Sequence, residues 1–90
     1  MRRVIWTAGA RGDLAGIRAY IGQFNPTAAA RFATRLVLAA DSLAEMAERG
    51  RPIRGGRREL AASPPYLIRY RVAADVVFIL RVRHGARRPD

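Results

Sequence analysis

Ninety residues, half of them hydrophobic, are enough for one domain with a single core, and the absence of cysteine excludes a disulfide framework and thiol chemistry. Seventeen arginines and no lysine stand against seven carboxylates, a net charge of +10 that points to an acidic partner, nucleic acid or protein. The longest apolar run, Val76 to Leu80, is far too short to span a bilayer, and the N-terminal apolar run stops at Trp6, short of a signal peptide; a cytoplasmic protein without a membrane partner is expected.

Arg3 to Trp6 is short, apolar and β-branched, and predicts a first strand. Thr7 can cap a helix directly after it. From Ala10, Leu14, Ile17, Ile21 and Phe24 recur at helical spacing, while Gly12, Gly16 and Gly22 each weaken that helix by about 1 kcal/mol against alanine. Asn25-Pro26 supplies an N-cap and a first-turn proline for a second helix. Its stripe runs through Ala29, Phe32, Leu36, Ala39 or Ala40, Leu43, and Met46 or Ala47, and Gly50 and Pro52 end it. The two helices predict an antiparallel hairpin, with Ala15, Ala19, Ala29 and Ala33 letting the axes approach.

Arg51 to Gly56 reads as a basic, glycine-rich loop, Arg57 to Ala62 as the second strand, and Ser63-Pro64-Pro65 as a turn. Tyr66 to Val72 and Val76 to Arg83 are the third and fourth strands, joined tightly through Ala73-Ala74-Asp75. Alternation places Ile68, Tyr70 and Val72 opposite Leu67, Arg69 and Arg71. It likewise places Val76, Phe78, Leu80 and Val82 opposite Val77, Ile79, Arg81 and Arg83. The apolar face receives the helix hairpin; the other face is left for a partner. The fold class is α+β: an N-terminal strand and a two-helix hairpin packed on a mainly antiparallel four-stranded sheet.

One histidine and scattered carboxylates supply no metal cluster, Gly55-Gly56 lacks the lysine and helix start of a phosphate-binding loop, and no cofactor is implied. With two serines and no cysteine, a nucleophilic triad has no support. His84 is the one side chain whose ordinary titration range lies near neutrality. Next to arginine it would serve as a base in RNA 2′-hydroxyl chemistry, or simply order the end of a strand. Arg57, Arg58, Arg69, Arg71, Arg81, Arg83, Arg87 and Arg88 form a candidate basic surface across three strands, and Asp13, Asp41, Glu45, Glu48 and Glu59 are candidate ion-pair partners. Tyr66 and Tyr70 read as core or edge aromatics, with base stacking as an alternative for Tyr66.

Val4-Ile-Trp-Thr, then Asp13-Leu, Ile17, Tyr20-Ile and Asn25-Pro26 before a long alanine-rich helix, resemble the ParE/RelE toxin superfamily. So do Arg58-Glu-Leu, Ser63-Pro-Pro-Tyr-Leu-Ile-Arg-Tyr-Arg-Val72, and the run from Val76 through His84-Gly-Ala-Arg87. The resemblance spans nearly the whole chain. It implies a small cytoplasmic toxin of a type II toxin–antitoxin module, neutralised by a cognate antitoxin (ParD-like or RelB-like). RelE-like members cleave mRNA on the ribosome with basic residues of the open sheet face, whereas ParE-like members poison DNA gyrase, so fold alone does not choose.

The sequence departs from the nuclease pattern. Leu67 stands where the nuclease arginine beside the third-strand tyrosine would be, the second-strand basic pair is reduced to Arg57 and Arg58, and only Pro89 and Asp90 follow Arg88. The His-Gly-Ala-Arg ending is similar to ParE-like chains. The expectation is therefore a gyrase-binding toxin without catalytic residues, its target contacts being Arg81, Arg83, His84 and Arg87. The alternative is a ribosome-dependent endonuclease using His84, Arg58, Arg81 and Arg83. In either case an acidic, apolar antitoxin tail would cover Leu67, Arg69, Arg71, Val77 and Ile79, folding as it binds.

Overall fold

The computed structural model describes residues 1–85. The elements are β1 (Arg3–Trp6), α1 (Ala8–Gly22), α2 (Pro26–Ser42), β2 (Arg51–Ile53), β3 (Arg57–Ala61), β4 (Tyr66–Ala73) and β5 (Val76–His84). One sheet contains all five strands in the order β1-β5-β4-β3-β2. β1 runs parallel to β5, and the remaining pairs are antiparallel. The strand count exceeds the expected four because Arg51–Ile53, expected as loop, pairs with β3. Three residues carry no usable periodicity, and Pro52 argues locally against a strand except at an edge, which is where β2 lies.

Local chemistry explains both helix starts. Thr7 Oγ1 accepts from the Ala10 N–H at 3.2 Å, and Asn25 Oδ1 accepts from the Ala28 N–H at 3.0 Å, each satisfying an orphan first-turn donor. Thr7 also donates to the Ile79 carbonyl at 2.8 Å, which fixes the start of α1 against β5. α2 ends earlier than its apolar stripe. Ser42 Oγ donates back to the Ala39 carbonyl at 2.6 Å, and the Leu43 and Ala44 N–H groups bond three residues back, to Ala40 and Asp41, tightening the chain out of the α-helix. Leu43 and Ala47 stay buried beyond that point, while Met46 is exposed.

The core lies between the hairpin and one sheet face. Ala10, Leu36, Ala40, Leu43 and Ala47 meet Leu60, Tyr66, Ile68, Tyr70, Val77, Ile79 and Val82. Full burial of a side chain such as Leu36 or Ile79 contributes about 1.5–3 kcal/mol. Between the helices the close approach is at the bend, where Ala29 is buried and a Cβ on Gly22 would lie 3.8 Å from the Ala29 Cβ. Ala15 and Ala19, expected there, are exposed, as is Phe24 at the end of the α1 stripe.

The face assignment along β5 needs a larger correction. Tyr70 pairs with Ile79 but Arg69 pairs with Arg81, so Leu80 is an extra residue and the strand bulges there. The bulge switches the parity of alternation. Val77 and Ile79 before it and Val82 after it all face the helices, Val77 and Ile79 with no exposed surface. Phe78, paired with Arg71, is on the open face. Among the described residues, no helix is long and apolar enough to cross a membrane.

Candidate functional site

The open face of the sheet is organised in cross-strand rows. One row runs Ile53, Arg57, Arg71, Phe78, Ile5, as the register extends through each paired strand. The next contains Arg51, Glu59, Arg69 and Arg81, and the one after it Ala61, Leu67 and Arg83. Glu59 is held at the centre, accepting from Arg51 Nη2 at 3.1 Å and Arg69 Nη2 at 3.0 Å. The Glu59 and Arg69 side chains retain 8% and 7% of their surface, while Arg51 retains 71%. One carboxylate thus bridges an inner and an outer guanidinium. Arg69, expected to contact a partner, is a buried structural cation.

Of the expected antitoxin contacts, Leu67 is half-buried and Arg71 exposed on this face, whereas Val77 and Ile79 lie on the opposite side, against the helices. Arg58 is likewise turned away from the open face. It pairs in register with Tyr70 and donates through Nη1 to the Gly50 carbonyl at 2.7 Å and to the Glu48 carbonyl at 3.4 Å, pinning the segment that leads into β2.

A second surface forms where α1 crosses the last turn of β5. β1 ends opposite Ile79, so the β5 edge beyond that point has no strand beside it. Asp13 of α1 takes over that edge: Oδ2 accepts from the Val82 N–H at 2.9 Å and from Arg81 Nε at 2.8 Å, and Oδ1 accepts from Arg81 Nη2 at 3.1 Å. This is a bidentate guanidinium–carboxylate pair with a backbone amide on the same oxygen. Burial alone would raise the Asp13 carboxyl, but the Arg81 and Val82 hydrogen bonds and the charges of Arg81 and Arg83 outweigh it, so its pKa is lowered.

Arg81, Arg83 and His84 line one groove of about 780 Å³ together with Ile17, Tyr20, Tyr66 and Val82. The His84 ring meets Tyr66 edge to face at 5.6 Å, and Tyr66 meets Phe32 in the same way at 5.7 Å, so the imidazole rests on a core-anchored aromatic. Tyr66 is thus a core aromatic, not a projecting platform. Arg87 and Arg88 lie outside the described residues. Three of the four expected target contacts therefore share a groove, but the broad basic surface does not form as one sheet: its arginines are divided between the open face, the α1 groove and the underside.

Gly12, Gly16 and Tyr20 of this groove are residues that sequence reasoning misses, taking the glycines for helix weakeners only. Their spacing of four is the available signal, since it puts two missing side chains and one ring on a single helix face. A Cβ at Gly12 or Gly16 would meet nothing within 4 Å, so these glycines hold the groove open without being required by packing.

The acid response tests the Asp13 pair. A carboxyl with a lowered folded pKa contributes stability above its unfolded value, and that contribution is lost as pH falls through the folded value. With Arg81 more than half exposed, Asp13→Asn should cost on the order of 1 kcal/mol at pH 7. It should also flatten the loss of stability below about pH 4. Urea melts from pH 7 to pH 2.5 with identical slopes for wild type and variant would rule the pair out as a stabilising link.

The comparisons agree with this architecture. The family model described as "ParE toxin of type II toxin-antitoxin system, parDE" matches residues 4–89. Toxin RelE2 of Caulobacter vibrioides is 58% identical over 87 residues, covering 97% of this chain and 99% of that protein. Putative toxin Y4kP of Sinorhizobium fredii is 44% identical over 86 residues, covering 93% and 88%. The solved structure "Chromosomal ParDE TA system from P. aeruginosa" superposes with a TM-score of 0.86 at 27% identity, covering 93% of this chain and 96% of that one. With the hairpin-on-sheet fold and near-complete coverage in agreement, this chain belongs to the ParE toxin family of type II toxin–antitoxin systems.

Proposed function

We propose that this chain is a toxin that acts as a binding module on DNA gyrase and is neutralised by a cognate antitoxin. The observation that supports the binding reading is that Arg58 of the four-residue nuclease set stands apart from the groove that His84, Arg81 and Arg83 share. Arg58 lies on the helix side of the sheet, bonded to the Gly50 carbonyl. It pairs with Tyr70 whereas His84 pairs with Tyr66, four residues along β4 and roughly 13 Å away at about 3.3 Å per residue. Arg81 is already engaged in both directions by Asp13. General acid–base work needs groups within hydrogen-bond reach of one reacting atom.

The antitoxin is inferred from the ParDE relative and from surface chemistry. An acidic, apolar tail fits the groove lined by Ile17, Tyr20, Arg83 and His84 and its continuation to Leu67, which pairs with Arg83. The names of the relatives, RelE and ParE, fall on both sides of the target question. The alternative, ribosome-dependent mRNA cleavage, draws support from His84 and Arg83 sharing the groove with Tyr20.

The decisive measurement adds purified toxin to gyrase and supercoiled plasmid. Accumulation of cleaved-DNA complex with loss of supercoiling is expected, and an unchanged reaction would refute the gyrase reading. His84→Ala separates the mechanisms. A lost contact weakens gyrase inhibition by less than about tenfold, whereas loss of a general base lowers cleavage of ribosome-bound message by about 10²–10⁴-fold.

A further inference from the structure

The side of α2 turned away from the sheet carries a charge pattern that neither the α1 groove nor the ion-pair network uses. Ala29, Leu36 and Ala40 face the core, and the opposite stripe presents Arg31, Arg35, Leu38, Asp41 and Glu45, all exposed. At 3.6 residues per turn these fall within about 60° of Leu38 on either side, with Glu45 in the turn just beyond the helix. Leu38 keeps 62% of its surface, an aliphatic side chain in the middle of a charged stripe. Among the described residues none of the four charged groups has an ion-pair partner.

The arrangement works against the helix taken alone. Its basic residues stand toward the N-terminal end and its acidic ones at the C-terminal end, the reverse of what the helix dipole favours. Arg31 and Arg35 are four residues apart, as are Asp41 and Glu45, so each pair sets like charges side by side. Both effects turn into attraction when a second α2 lies antiparallel across the first. With Leu38 on a twofold axis, each residue before it faces the residue as many positions after it in the other copy. Arg35, three before, meets Asp41, three after; Arg31, seven before, meets Glu45, seven after. The symmetry makes each of these pairs occur twice, around a Leu38–Leu38 contact.

We infer that this stripe of α2 is a self-association surface that joins two copies of the chain through antiparallel α2 helices. The groove at its acidic end fits that occupant. Asp41 and Glu45 line it with Val4, Ala44 and the exposed Met1 and Met46, in a volume of about 580 Å³. An arginine stem of the other copy lies over the methionines with its guanidinium on the carboxylate rim. A basic peptide would match only this end and leave Arg31 and Arg35 unanswered, whereas a second copy matches both ends. The α1 groove is lined from α1, β4 and β5, so the dimer leaves it open. One helix face per copy is a small interface, and half-dissociation is expected on the order of 10–100 μM.

The test is sedimentation equilibrium of the full 10.0 kDa chain across concentrations that bracket that range. Each copy carries +10, so salt screens a general repulsion as well as the cross-pairs, and charge swaps decide where ionic strength does not. Arg31→Glu/Arg35→Glu makes the stripe acidic throughout, and Asp41→Arg/Glu45→Arg makes it basic throughout. Each variant alone should dimerise at least about tenfold more weakly than wild type, because like charges then face one another. Mixed in equal amounts, the two should recover a dimer containing one copy of each. That recovery also shows that both chains fold; if either loses its cooperative thermal melt, Arg35→Glu mixed with Asp41→Arg is the same test with one change per chain. Arg18→Glu/Arg54→Glu, the same charge change at exposed positions elsewhere, should shift dimerisation less than about threefold. A wild-type chain that stays monomeric up to about 1 mM, a dimer unaffected by the α2 swaps, or folded variants that do not pair on mixing would overturn the proposal.

Discussion

Gly50→Ala is expected to lower stability by about 3 kcal/mol or more, since a Cβ there meets the tightest contacts of any glycine among the described residues. Gly50 is buried, and a Cβ there would lie 2.7 Å from both Cε1 and Oη of Tyr70 and 3.0 Å from the Glu59 carbonyl carbon. No flexible side-chain tip is available to give way, because Tyr70 is fully buried. Its hydroxyl accepts from the Gly50 N–H at 2.8 Å and donates to the Ala47 carbonyl at 2.7 Å. That hydroxyl satisfies two backbone groups where the chain passes from the helical layer into β2. In a domain of this size the loss corresponds to a fall in Tm of roughly 12–24 °C, at about 4–8 °C per kcal/mol. Tyr70→Phe should itself cost about 1–3 kcal/mol by leaving both backbone groups unpaired. Since the alanine already disrupts those bonds, the double variant should be less destabilised than the sum of the two. Strict additivity in urea melts, or a Gly50→Ala cost below about 1 kcal/mol, would show that the region relaxes freely.

The second large effect belongs to the carboxylate inside the open face. Glu59→Leu should cost about 3–5 kcal/mol, because it takes the Glu59 carboxylate away from a buried guanidinium, that of Arg69. The cost is not a measure of what the ion pair contributes. Two charges taken from water lose hydration that their attraction only partly returns, so Glu59→Leu/Arg69→Met should recover most of the loss. Arg51→Ala should cost less than about 1 kcal/mol, since that partner is mostly in solvent. Chemical denaturation of wild type and the three variants at fixed pH and salt measures all of this. If Glu59→Leu and Arg51→Ala proved equally mild, the buried pair would not be holding β3 to β4. Removal of the pair should also leave the Arg57–Arg71–Phe78 row in place, because that row is positioned by register two residues away.

Much of the framework is legible from residue order. Thr7 and Asn25-Pro26 mark the helix starts because a cap is a short-range hydrogen bond that chain neighbours alone can make. Asp13 and Glu59 are identifiable as arginine partners by sign, though not by address: Arg81 lies 68 residues from Asp13. Gly50 is visible in the sequence but for the wrong reason. It reads as a helix stop, while α2 ends at Ser42 and the need for glycine comes from a tyrosine 20 residues later. The candidate site is less legible than the fold. Its arginines are all in the sequence, yet the sides on which they emerge depend on the extra residue at Leu80, and a bulge leaves no mark on an uninterrupted apolar run.

Residue order thus suffices for the class of the fold, the caps, the two amphipathic stripes and the excess of positive charge, because each arises from interactions within a few residues or from composition. Folded contacts were needed to show that Val77 and Ile79 are core, that Arg69 and Arg81 are committed to carboxylates, that Arg58 faces the helices, and that Arg57 and Arg71 stand side by side. A strand alternates with a period of two, so one inserted residue or one register step sends every later side chain to the other face. Only the pairing of distant strands fixes that step.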